Sequence, residues 1–236
     1  GEGITSKIFY LTAKTTAQAV AEEAFQRMKE MGLKFISITI TAKDKICFKD
    51  ERQCTPDYCE YAKGHFDRVN DAVMNILQNE TEINREKIAT YAKKHRVCPF
   101  EYSLDIALWA DCVICDYNYL FDPNASLKRF FMDKKTDFTF LIDEAHNLVD
   151  RAREMYSAEI HKKDFLELKK LMKGKNKELH AACNSINKYF IELKKQLGYK
   201  NYHVSKEEYK DLYQLLGSFV AKADKYLSMN EEAHKN

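Results

Sequence analysis

The sequence predicts an α/β protein built on a parallel sheet, with a cysteine-bearing helical insertion and an all-helical final segment. Three observations predict it. Residues 7–12 (KIFYLT) and 34–40 (KFISITI) are short, apolar, β-rich runs separated by one stretch of helical periodicity. That is a β-α-β unit, whose strands should run parallel. The same β-rich pattern returns at 111–117 (DCVICDY) and 137–142 (DFTFLI), and from about residue 158 only helical spacing remains.

In order, Thr15 and Thr16 are expected to cap the first helix, with Val20, Ala24, Met28 and Met31 on its apolar face. Gly32 stands where a helix C-terminus favours a left-handed residue. Residues 42–104 break the α/β pattern: they are charged, mostly helical and carry cysteines. Helices are expected from Phe66 to Leu77, with Val69, Val73, Ile76 and Leu77 inward, and from Asn84 to Lys94. So few large aliphatics suggest a segment with little core of its own, which a metal could hold together. In the final part, Phe165, Leu168 and Met172 share one face, and Ile186, Tyr189, Phe190, Leu193 and Leu197 another. Ser205 with Glu208 reads as a capping box opening a third helix, with Leu212, Leu216 and Phe219 inward.

The chain has 236 residues, 45% apolar and 31% charged, a composition suited to a globular protein. Its net charge of +2 hides an asymmetry: residues 151–236 carry 18 Lys and Arg against 12 Asp and Glu, and residues 1–150 carry 20 against 24. A basic second part points to an anionic partner, most simply nucleic acid, although solvated helix faces give the same excess. No apolar run reaches about 18 residues, the length of a membrane-spanning helix. Seven is an odd number, so the cysteines do not form a complete disulfide set within the chain, and a reducing, cytoplasmic setting is expected. Gly1-Glu2-Gly3 leads almost directly into a strand without a starting methionine, so the expectation is a portion of a longer protein.

Cys47, Cys54, Cys59 and Cys98 are spaced C-x6-C-x4-C-x38-C. Four thiolates are the complement of one iron–sulfur cluster. Structural zinc more often takes two close pairs, so a cluster, zinc and unligated thiols all stay open on spacing. Cys112 and Cys115 form C-x-x-C inside a strand, where residues three apart face opposite sides, so packing is expected of them. Cys183 is read as inert. His65 and His95 lie among the four cysteines and are weighed as replacement ligands.

FLIDEAH (residues 140–146) ends an apolar strand in two acids. The carboxyl edge of a parallel sheet is where such folds place their chemistry. In a nucleotide hydrolase, the first acid, here Asp143, belongs to the magnesium shell. The second, Glu144, polarises the attacking water. His146 would link that site to the rest of the protein. A plain helix start would explain the acids separately. The phosphate loop G-x4-G-K-[ST] does not occur in the sequence.

Taken together, these features resemble the XPD/DinG-like (DEAD_2, Rad3-related) iron–sulfur DNA helicases of superfamily 2, the bacterial branch more than the eukaryotic one. YLTAKT (10–15) resembles the family's motif Ia, and AKDKIC (42–47) its basic approach to the first cluster cysteine. CPF (98–100) resembles the last cysteine, ADCVICDYNYLFDP (110–123) the strand and loop before the Walker B strand, and DEAH (143–146) the Walker B box.

The resemblance implies a partial RecA-like first motor domain: residues 1–41 and 105–157 the motor, 42–104 an Fe–S cluster domain, and 158–236 part of a helical arch. It implies a 4Fe-4S cluster on Cys47, Cys54, Cys59 and Cys98, and ATP and Mg2+ as cofactors, with Asp143, Glu144 and His146 in the catalytic box. DNA contact would fall to Thr12, Lys14 and Thr15 of motif Ia, to Lys43, and to Tyr117, Asn118 and Tyr119. The implied activity is ATP-dependent 5′–3′ translocation on single-stranded and forked DNA, in DNA repair, by a monomer without a membrane. Motif I, motifs III to VI and the second motor domain are missing, so these residues alone should be inactive. Two other classes fit parts of the sequence: a metal-stapled nucleic-acid-binding module without motor activity, and a redox protein, for which the sequence lacks any flavin or nicotinamide fingerprint.

Overall fold

The computed structural model of the chain describes residues 5–123, 127–131, 137–200 and 202–233. The chain divides into two compact units, residues 1–157 and 158–236.

The first unit is built on a five-stranded sheet. Its strands are β1 (Lys7–Leu11), β2 (Ser37–Thr39), β3 (Glu82–Ile83), β4 (Cys112–Cys115) and β5 (Phe138–Ile142). They lie in the order β3-β2-β4-β1-β5, and every pairing is parallel. The expected parallel β-α-β unit is present, but β4 lies between β1 and β2 and pairs with both. Alternation along the strands gives the sheet two apolar faces. On one, Cys112 and Ile114 pack with Ala21 and Phe25 of helix α1 (Thr15–Glu30). On the other, Phe9, Leu11, Val113 and Cys115 join the main core.

That core extends into α3 (His65–Asn79), α4 (Arg85–His95) and α5 (Pro99–Trp109), preceded by the short α2 (Lys43–Ile46). Val69, Ala72, Val73 and Ile76 of α3, Ile88 and Ala92 of α4, and Tyr102, Ile106 and Ala107 of α5 are buried with the sheet residues in one cluster. The expected shortage of core in 42–104 is therefore not met: many small and β-branched residues replace a few large aliphatics. The segment also contributes β3 to the sheet. What lacks regular structure is the loop 48–64, between α2 and α3. The unit closes through α6 (Asn118–Phe121), α7 (Lys128–Phe131), β5 and α8 (Leu148–Met155).

Three local expectations are corrected. α1 buries Ala21 and Phe25, not the Val20–Met31 face: Val20 is 64% and Met31 88% exposed. The large Phe25 ring, in edge contact with Tyr10 and Phe35, sets which face turns inward. Thr15 and Thr16 lie inside α1, whose N-cap is Lys14, with no side-chain cap. Ser205 does not open a helix: its Oγ accepts from the Glu207 amide at 2.9 Å in a local turn, and α11 (Lys210–Ala233) begins later.

The second unit packs α9 (Lys162–Met172), α10 (Lys177–Leu197) and α11. Asn176 caps α10 by accepting from the Leu179 amide at 2.9 Å. Met172, Leu179, Ala182, Cys183 and Ile186 are buried, and Phe165 meets Phe219 edge-on at 5.4 Å.

Lys7 joins β1 to α5. Its Nζ donates to the carbonyls of Ala107 (2.6 Å), Leu108 (3.0 Å) and Ala110 (2.5 Å), groups a helix C-terminus leaves without intrahelical partners. Lys7→Met strips all three of that donor and should cost about 1–3 kcal/mol, read as a lower urea midpoint at unchanged slope.

Candidate functional site

Parallel register fixes the site at the carboxyl edge of the sheet. Leu11 pairs with Cys115 on one side and Ile142 on the other, so β1, β4 and β5 end level. The Thr12 amide donates to Cys115 O at 3.0 Å, and the Asp143 amide to Leu11 O at 2.9 Å. Thr12, Asp116 and Asp143 thus leave the sheet side by side.

Asp143 is held at both ends. Thr12 Oγ1 donates to its Oδ2 at 3.4 Å, and the Tyr117 hydroxyl donates to its backbone carbonyl. Glu144 adopts a left-handed backbone, φ 50° and ψ 44°, uncommon for a residue with a Cβ. This turns the chain sharply after the strand, and residues 145–147 follow as a single 3-10 turn. The Glu144 carboxylate stays half exposed, 3.3 Å from His146 Nδ1. Asp143 and Glu144 line a cleft of about 300 Å³ with Thr12, Lys14, Thr16 and Asn147. The N-terminus of α1 opens there, so the cleft combines two carboxylates with a lysine and a positive helix end.

The residues assigned to DNA contact are placed differently from one another. Thr12 is 1% exposed and bonded to Asp143, so its hydroxyl is not available at the surface. Lys14 is exposed at the cleft. Thr15 opens α1, and its side chain lies outside the described part. Tyr117 is fully buried in the main core, so its ring packs there and presents no face on which a base could stack; burial and then Asp143 push its pKa up. Asn118 lies in a turn closed by its own amide on Asp116 Oδ1 at 2.9 Å. Tyr119 is half-buried and lines a separate cavity with Lys45 and Arg85.

The four spaced cysteines are all free thiols. Cys47 ends α2, Cys54 and Cys59 lie in the loop 48–64, and Cys98 is the N-cap of α5. Lys43 sits over the Phe100 ring at 5.6 Å. Burial pulls its pKa down, but the neighbouring Cys54, Glu101 and Cys98 outweigh that and leave it raised. Burial pushes the Cys98 thiol up, while the Phe100 and Glu101 amides favour its thiolate. Among the described residues, no three His, Cys, Asp or Glu side chains stand close enough to hold one metal ion. The donor set, four free thiols on segment ends or irregular chain, suits an iron–sulfur cluster, but among the described residues no three of the sulfurs come together. His65 is not a ligand: its Nδ1 accepts from the Cys98 amide at 3.2 Å, which leaves the proton on Nε2. His95 is bonded through Nε2 to Asn75 Oδ1 at 3.0 Å.

Cys112 and Cys115 belong to opposite faces of the sheet, and burial pushes the Cys112 pKa up to about 12, so both are inert packing thiols. Sequence reasoning missed the Tyr117–Asp143 bond and the role of Asp116. The signal for Asp116 was present in D-Y-N after a strand, since Asp side chains close such turns.

The DEAD_2 family model matches residues 27–165, and the chain belongs to this family of XPD/DinG-like superfamily 2 helicases. Among curated proteins, it is 29% identical over 129 residues to a Fanconi anemia group J protein homolog of Gallus gallus, covering 51% of this chain and 10% of that one. It is 26% identical over 180 residues to a regulator of telomere elongation helicase 1 homolog of Anopheles gambiae, covering 67% and 17%. The chain thus spans a small part of these relatives. Both are animal proteins, so they do not confirm the expected bacterial affinity. The fold resembles a solved XPD helicase (TM-score 0.51, 17% identity, 95% of this chain and 40% of that one) and a truncated XPD (0.55, 17%, 95% and 65%).

Tyr117→Phe removes the donor to the Asp143 carbonyl and keeps the ring. It should lower stability by about 1 kcal/mol, measured by urea denaturation.

Proposed function

We propose that these residues belong to the first motor domain of an ATP-dependent 5′–3′ DNA helicase that acts on single-stranded and forked DNA. The observation that supports this most is the level ending of β1 and β5, which sets Asp143 and Glu144 beside Lys14 in one cleft within a DEAD_2 chain. In this reading residues 1–41 and 105–157 are motor, 42–104 a cluster domain and 158–236 part of an arch. The phosphate loop and second motor domain are supplied from outside these residues, and the chain alone does not turn over ATP.

When bound, ATP and Mg2+ supply the phosphoryl chemistry, with Asp143 as the metal-shell carboxylate. The chain's own contribution is positional. Thr12 and the Leu11 carbonyl fix Asp143, so its carboxylate pays little entropy to be in place. The left-handed turn at Glu144 sets the second carboxylate apart from the first, where it can orient and deprotonate a water. His146, next to Glu144, takes the coupling role. Lys14 is the exposed motif Ia cation available to a phosphate. Cys47, Cys54, Cys59 and Cys98 would hold a 4Fe-4S cluster, which would order the region after α2 and supply no chemistry to hydrolysis.

In the longer protein with its phosphate loop, Glu144→Gln should lower DNA-stimulated ATP turnover at least about 100-fold and leave single-stranded DNA binding within about twofold. Turnover close to the unsubstituted protein would remove Glu144 from the reaction. Nucleic-acid binding without ATP turnover in the unsubstituted protein would favour the binding-module alternative.

A further inference from the structure

The first turn of α3 holds two polar side chains that the proposed motor chemistry does not use, and both reach the cysteine-bearing chain. Arg68 Nη2 donates to the carbonyls of Lys63 (2.7 Å) and Arg96 (2.6 Å), and its Nε to that of His95 (3.1 Å). Lys63 closes the turn that follows Cys59, and Arg96 ends α4 in a left-handed conformation two residues before Cys98. One guanidinium therefore ties together the chain just after Cys59 and the chain just before Cys98.

His65, the first residue of α3, is 3% exposed. Its Nδ1 accepts from the Cys98 amide at 3.2 Å, so the ring proton is on Nε2. That Nε2–H faces Asp105 Oδ2 at 3.7 Å, beyond hydrogen-bond reach, and is buried without a partner. Both ends of the ring thus address α5, one at its N-cap and one in its second turn. A core position alone does not account for this. A buried donor without a partner is costly, and an apolar ring would fill the space without that cost. Gly64 just before it has φ +66°, and a Cβ there would stand 2.6 Å from Arg68 Nη1, so the backbone is fitted closely to this arrangement.

We propose that His65 is a positioning residue for Cys98 as a metal-cluster ligand, with Arg68 aligning the two chain segments on either side. The inference rests on the reading of the four cysteines as cluster ligands. His65 fixes the Cys98 backbone on α3, so the point from which that sulfur projects is set while the irregular loop 48–64 brings Cys54 and Cys59 to it. Partners beyond the direct ligands orient ligand side chains in this way. The Cys98 backbone, not its sulfur, is the group held.

The test is anaerobic reconstitution of the 236-residue chain with ferrous iron and sulfide. Iron retained and the rate of its release to a chelator are measured for the unsubstituted chain, His65→Leu and His65→Asn, whose amide oxygen can accept from the Cys98 N–H. Melting curves of the metal-free proteins are recorded alongside. Release from His65→Leu is expected to be about ten- to a hundredfold faster, from His65→Asn within about threefold of the unsubstituted chain, with closely similar metal-free melting. Unchanged release from His65→Leu overturns the proposal. So does equal loss from both variants, or iron loss that follows the unfolded fraction. If the unsubstituted chain takes up no iron, the cluster reading fails and this inference with it, an outcome distinct from a cluster that ignores His65.

Discussion

The level ending of β1 between β4 and β5 is the constraint on which the rest of the first unit depends. Parallel strands in fixed register deliver Thr12, Asp116 and Asp143 to one edge within hydrogen-bond reach of each other's chain. A slip of one residue would turn Phe9 and Leu11 out of the main core and Asp143 away from Thr12. The aromatic packing of Phe9 against Phe130, Phe138 and Phe140 opposes such a slip. Core packing and site geometry are therefore the same specification read on two sides of the strand.

The cysteine region follows a different logic. Its helices are not a separate body that a metal must hold together, because their apolar faces merge with the sheet core and β3 joins the sheet. The part without packing is the loop carrying Cys54 and Cys59. A cluster would order that loop and leave the helices as they are. Cys98, the N-cap of α5 and bonded through its amide to His65, is the fixed point from which such ordering would start.

Much of this was legible in the sequence, for physical reasons that differ by element. β4 was clear because a buried parallel strand is an apolar run bounded by polar residues, the half-exposed edge strand β5 because FTFLI is a run of β-favouring residues, and D-E-A-H after that run placed the candidate site. The inward face of α1 was misjudged because Val20, Ala24 and Met28 have helical spacing too, and only the tertiary partners Tyr10 and Phe35 select Phe25 over them. The burial of Thr12 and Tyr117 was not legible because each is held by a residue far along the chain, Asp143, through a bond that no local pattern encodes. The positions of His65 and Arg68 were out of reach for the same reason. Apart from the nearby Lys63 carbonyl, their partners are backbone groups about thirty residues away, whose side chains carry no signal of the contact.

The central claim is that a DEAD_2 motor edge and a four-thiol cluster occupy one chain. Its most direct test is the metal content and visible spectrum of protein purified without oxygen. The account predicts about four irons and four sulfides per chain, lost together when Cys98 is replaced by serine. One tightly held zinc and no iron would contradict it at the four cysteines, while leaving the sheet and its acidic edge as they stand.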